Sequence, residues 1–319
     1  MVVTPLMWRS LDRFTSLFGF MVTNPIEYDT KKRRFQFNRV SMKMWPYICS
    51  VAIVFLSIFM PCLVLGIFKL FGLLQIPLAN VMVVLTLTLI SGVCFVTELI
   101  SSKIGYKLLG LINSTIEWDK NLENSAPKGT DIMGHALLTA ATTLGFYPYI
   151  ITGFLLHAEL DPLFQFQQLL AQYWTPMADF PISKFIVMSL LRPFLTLIAF
   201  FQICRVFTIL LCGGAVGCVS LLDNIKHMER ISYRFWIRSY AREILRYHAM
   251  IQILLQWSSD MMHSLVAIFQ MSGFISVPFN YMTLKVYNIM PFRTYFALPV
   301  VCIVLPMSHQ MLLPILISV

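Results

Sequence analysis

Arg205 is the residue of this sequence whose position most needs a chemical reason. It lies in an apolar run, 185–222, that is otherwise interrupted only by Arg192, and Gln202 precedes it by one helical turn. A guanidinium buried in a lipid layer costs roughly 3 kcal/mol or more, so Arg205 is expected to face other helices or a wet cavity. There it either binds a polar group as part of function or locks helices together. Of the fifteen acidic residues only Glu98 and Asp260 come near an apolar block, both at block ends, so no acid is expected at the depth of Arg205. Gln270 or free backbone carbonyls are the partners on offer. Arg192, closer to the end of its block, is expected to stretch its stem toward the interface.

Two further sets of residues suit binding or assembly. Phe146, Tyr147 and Tyr149 in the third apolar block, Phe194 and Phe201 in the fourth, and Asn280 and Tyr281 in the fifth would line an aromatic pocket with a few polar groups, as a small apolar ligand requires. The same residue types also form the belts at membrane surfaces. Lys226, Arg230, Arg234, Arg238, Arg242 and Arg246 recur every fourth residue. On a helix each such step drifts by about 40°, which gives one slowly winding basic stripe and predicts that the fourth span continues as a helix past the membrane. The stripe suits either an assembly surface or a solvated face near anionic lipid. Gly213 and Gly217 form a G-x-x-x-G, a device for close helix packing.

Other chemistry is not signalled. The sequence contains no G-x-x-x-x-G-K-[ST], G-x-S-x-G or H-E-x-x-H, and its seven cysteines lie inside apolar blocks with no CxxC spacing. An enzyme, a metal and a cofactor are therefore not expected, and the cysteines read as small apolar residues. Basic residues sit between apolar blocks instead of in one patch, so the net charge of +9 does not imply nucleic acid.

The elements that must carry these residues are membrane helices. Hydrophobic residues make up 58% of the 319 and charged ones 12%, against about 45–50% and about 25% in soluble domains. The expected fold is an all-α polytopic bundle of about six spans, near 46–69, 77–97, 133–157, 193–218, 261–284 and 293–317, each long enough for a core of about 30 Å. The membrane domain, 46–317, follows an N-terminal segment, 1–45, and carries helical loops near 98–131 and 222–258. Eighteen Lys and Arg fall on the N-terminal segment and these two loops, against four on the opposite side, which places the N-terminus and the C-terminus in the cytoplasm.

Within the first segment, Thr4 is placed to cap a helix opened by Pro5, with Met7, Leu11, Phe14 and Phe18 on one face opposite Arg9 and Arg13. This helix is expected to lie on the inner leaflet. In the first loop Leu108, Leu111, Ile112 and Ile116 share a face, and 123–131 reads as a flexible turn. Asn113, in the N-x-[ST] site, falls on the cytoplasmic side and is expected to carry no glycan.

Three stretches, FGFMVTNPIEYDTKKRRF, KLLGLINSTIEWDKNL and REILRYHAMIQILLQWSSDMMHSL, resemble the insect-type gustatory and odorant chemosensory receptors. These are an arthropod superfamily of ligand-gated cation channels with an intracellular N-terminus. The resemblance implies a plasma-membrane receptor subunit that binds a small organic ligand among the outer halves of its spans, pointing again to Tyr147, Tyr149, Phe194, Phe201 and Tyr281. It implies a homo- or hetero-tetramer with related subunits, joined through the basic second loop. In that superfamily a seventh helix carrying Thr-Tyr, five apolar residues and Gln-Phe lines the pore. Here Thr294 and Tyr295 are followed by Val301 and Cys302 where Gln-Phe would stand, so the expectation is a chain lacking that helix. The competing reading is a small-molecule secondary transporter, which the shortage of acids in the spans disfavours, or another polytopic membrane protein with no small ligand.

Overall fold

A computed structural model describes residues 3–73, 78–121, 131–173 and 190–232, with isolated positions beyond. The fold is helical apart from one hairpin. Helix α1 (Pro5–Phe18) leads into strands β1 (Ile26–Asp29) and β2 (Arg34–Phe37), which pair antiparallel with Tyr28 opposite Phe35. A 3-10 turn (Met42–Met44), α2 (Trp45–Val54), a π-helical turn (Phe55–Phe59) and α3 (Met60–Leu70) follow end to end. Then come α4 (Leu78–Asn121), α5 (Ile132–His157), α6 (Pro162–Tyr173) and α7 (Arg192–Ser232).

Among the described residues, four segments are long and apolar enough to cross a membrane: Met42–Leu70, Val83–Glu117, Ile132–Leu169 and Arg192–Lys226. They overlap the first four expected spans, the second over 83–97; the fifth and sixth lie outside the described residues apart from Gln270 and Gly273. Two helices overrun any bilayer. The 44 residues of α4 extend about 66 Å and the 41 of α7 about 62 Å, twice the thickness of a hydrocarbon core. The first-loop helix is thus the continuation of the second span. Its face is covered as expected, with Leu111, Ile112 and Ile116 buried and Leu108 partly so.

The packing of α1 corrects the expectation for the N-terminal segment. Its cap is as read, with Thr4 Oγ1 accepting from the Met7 backbone N–H at 3.3 Å and Pro5 opening the helix. The Thr4 hydroxyl also donates to Asp131, whose carboxylate caps α5 through the Gly134 N–H, so the two helix starts are stitched together. From there α1 runs alongside α5 and in the same direction: Leu6 lies against Gly134 and Leu17 against Gly145. A Cβ at Gly145 would fall 2.5 Å from Leu17 Cδ1, so a larger residue there would require the Leu17 side chain to move. The apolar face is therefore spent on α5 and α7 and not on lipid. Met7, Leu11, Phe14 and Phe18 are each no more than 5% exposed and belong to one core with Ala141, Cys212 and Val216.

The hairpin is the element the sequence reading did not contain. Asp29 Oδ1 accepts from the Lys31 and Lys32 N–H groups and makes the turn, with Arg33 in the left-handed region at φ 50°. One side of the hairpin, Ile26, Tyr28 and Phe35, is buried against α4 and α7. Asn113 of α4 serves it as a third strand would: its Oδ1 accepts from the Phe35 N–H at 2.9 Å and its Nδ2 donates to the Phe35 carbonyl at 2.8 Å. The G-x-x-x-G of α7 completes the seat. Gly213 receives the Phe35 ring, and Gly217 receives Ile112 so closely that a Cβ there would sit 2.8 Å from Ile112 Cγ1.

Candidate functional site

One group of buried polar residues lies where the hairpin meets the helices. Tyr47, in the first turn of α2, donates its hydroxyl to Glu98 Oε2 at 2.7 Å, and Gln202 Nε2 of α7 donates to Glu98 Oε1. Glu98 is 3% exposed and Gln202 1% exposed. One turn along α7, Arg205 Nη1 donates to the Val22 carbonyl at 2.5 Å, and its Nη2 lies 4.0 Å from Glu27 Oε1. Glu27 is held in turn by the Asn24 N–H at 3.1 Å and Asn38 Nδ2 at 3.0 Å. Glu98 is also within electrostatic reach of Arg205. Both oxygens of this buried carboxyl group therefore have a hydrogen-bond partner.

This arrangement corrects one expectation about Arg205. Acids do stand near it: Glu98 of α4 is held by Gln202, one turn away on α7, and Glu27 arrives from the N-terminal segment. Gln270 is exposed.

Arg192 departs from expectation as well. Its guanidinium makes a two-pronged pair with Asp161, Nε donating to Oδ2 at 2.6 Å and Nη2 to Oδ1, and lies 4.6 Å from the Phe164 ring centre. The Asp161 side chain is fully buried and that of Arg192 is 11% exposed, so this is an internal ion pair and not a residue reaching for the surface. Asp161 stands where α5 ends and α6 begins, after Glu159 at φ 54°, and its Oδ2 also caps α6 through the Phe164 N–H. Composition gave no sign of it, because the acid lies outside the apolar block that the expected third span was drawn on.

The aromatic residues are brought together only in part. Phe201 is buried and meets the ring edges of Tyr149 at 5.0 Å, Phe20 at 5.3 Å and Phe18 at 6.4 Å. Tyr147 packs between the two apolar cores. Phe146 and Phe194 are 50% and 60% exposed and do not join this group. The position expected to receive a ligand ring beside Phe201 is thus taken by Phe18 and Phe20 of the N-terminal segment. A larger groove of about 320 Å³ lies between α3 and α4, lined by Cys62, Leu65, Gly66, Val84 and Thr88 among others, and contains none of the residues expected in the pocket. Asn280, Tyr281, Arg234, Arg238, Arg242 and Arg246 lie outside the described residues. Lys226 is exposed on α7, and the helix continues through Arg230, as the every-fourth spacing predicts.

Six of the seven cysteines are described and all are free, four of them buried. Burial raises the Tyr28 phenol well above its ordinary value, with the Asp12 carboxylate adding to the effect, so Tyr28 stays neutral at physiological pH. No family model, curated protein or solved structure matches the chain.

Proposed function

We propose that this chain is a non-enzymatic chemosensory receptor subunit of the gustatory and odorant type. It sits in the plasma membrane with both termini in the cytoplasm, binds a small organic ligand and assembles as a homo- or hetero-tetramer with related subunits into a ligand-gated cation channel. The observation that carries this reading is the continuation of α4 and α7 far past one bilayer thickness, with the N-terminal hairpin folded between them. A receptor whose subunits meet below the membrane needs such a rigid helical base. Gln202 and Arg205 stand where α7 enters that base, so a shift of α7 favoured by ligand would act on the Glu98 and Val22 contacts directly. Tyr147, Tyr149 and Phe201 remain the proposed ligand-proximal residues, with Phe18 and Phe20 as the groups a ligand would compete with.

A secondary transporter is the second reading, and one observation favours it. Glu98 and Asp161 are buried carboxylates inside candidate spans, the kind of residue that carries coupled ions in transporters. Expressing the chain with receptor subunits of the gustatory and odorant type under voltage clamp, with a panel of small organic compounds, separates the two. Cation current that requires both compound and chain supports the receptor. Concentrative uptake of a compound by this chain alone, at zero applied potential and without ligand-evoked current, supports the transporter.

A further inference from the structure

We propose that a single structural water molecule is bound between Asn24 and Glu98, where the N-terminal segment meets α4 and α7. A cavity of about 10 Å³ lies there, lined by Asn24, Pro25, Ile26, Glu98, Ser101, Val206, Ile209 and Leu210. That volume is about what one water requires. Asn24 is 3% exposed, and its side-chain Oδ1 has no hydrogen-bond partner, although its backbone N–H and C=O are held by Glu27 and Asn38. A buried amide oxygen left this way is rare, because its lost hydration is not replaced.

The rest of the lining supplies what a water needs. Each carboxylate oxygen of Glu98 already accepts one bond, from Tyr47 or Gln202, and has capacity for another. Ser101 is 7% exposed and contributes a hydroxyl. A water can donate one hydrogen to Asn24 Oδ1 and the other to the Glu98 carboxylate while accepting from Ser101. Metal cations are disfavoured because Arg205 lies within electrostatic reach of the same carboxylate. The water joins two hydrogen-bonded groups: Tyr47, Glu98 and Gln202 of the helices, and Asn24, Glu27 and Asn38 of the hairpin region. The inference rests on the cavity and its lining and is independent of whether the chain is a receptor or a transporter.

The test is a density map of the full chain in a lipid nanodisc, carrying an antibody fragment for alignment, at about 2 Å, collected once in potassium chloride and once after exchange into a thallium salt. The expected result is one peak within about 3 Å of both the Asn24 amide and the Glu98 carboxylate, of equal height in the two salts. An empty site in both maps overturns the proposal, and so does a peak that grows with thallium, which identifies a monovalent cation instead.

Discussion

Asp161 and Arg192 set the sharpest expectation at the residue scale. Replacing Asp161 with Ala leaves a largely buried guanidinium without its partner and is expected to cost about 3–5 kcal/mol, read as a large fall in melting temperature in detergent. Replacing both residues with Leu removes the unpaired charge, and stability is expected to return close to that of the native chain; a double variant no better than Asp161→Ala would show that the pair does more than compensate charge. At this scale the sequence was half legible. Arg205 was expected to turn toward protein, and it is 5% exposed. Its partners are not legible in the sequence, because Val22 is 183 positions away and Glu27 also lies in the N-terminal segment. Apolar patterning tells where a charge cannot face lipid, but not which distant segment will meet it.

Elements were more legible where one face repeats. The spacing of Met7, Leu11, Phe14 and Phe18 marked a helix with one buried face, and only the surface covering that face differed, because glycines at 134 and 145 let α1 settle on α5. With Leu17→Cys and Gly145→Cys together, and a protease site inserted within 122–130, oxidation is expected to hold the two fragments together on a gel. The Leu17 Cβ lies 3.3 Å from where a Cβ at 145 would be, close to the 3.5–4.5 Å span of a disulfide. Fragments that separate despite oxidation would mean that α1 lies elsewhere. The hairpin escaped notice although its signal was present: Ile26 and Tyr28, then Phe35 and Phe37, alternate with polar residues across a turn opened by Asp29. Its four-residue strands are too short to stand out beside long apolar blocks, and its third partner is a side chain. Asn113→Ala is expected to expose the Phe35 N–H and C=O and cost about 1–3 kcal/mol, seen as faster hydrogen exchange confined to 24–38. The native Asn113, committed to Phe35, is expected to show no change in mobility after glycosidase treatment.

At the scale of the whole molecule, the apolar blocks announced a membrane bundle, and four of the expected spans reappear as helices of sufficient length and composition. What the blocks concealed is how far the helices continue. Charged, amphipathic sequence beyond a span reads as a loop, yet α4 and α7 extend through it because each still has a partner to cover its apolar face, Ile112 against Gly217 and Val216 within the same core as Phe35. With eighteen basic residues assigned to one side, a tag at either terminus is expected to be reached by antibody only in permeabilised cells, and labelling of an N-terminal tag on intact cells would reverse the proposed orientation. Whether the contacts of Arg205 serve the response to ligand is read most directly from Arg205→Leu, co-expressed with receptor subunits of the gustatory and odorant type, by measuring surface level and ligand dose–response in the same cells. The receptor reading predicts a surface level near that of the native chain with the ligand response shifted or abolished. An unchanged response at an unchanged surface level, or a loss of surface protein that fully accounts for the lost response, would contradict it.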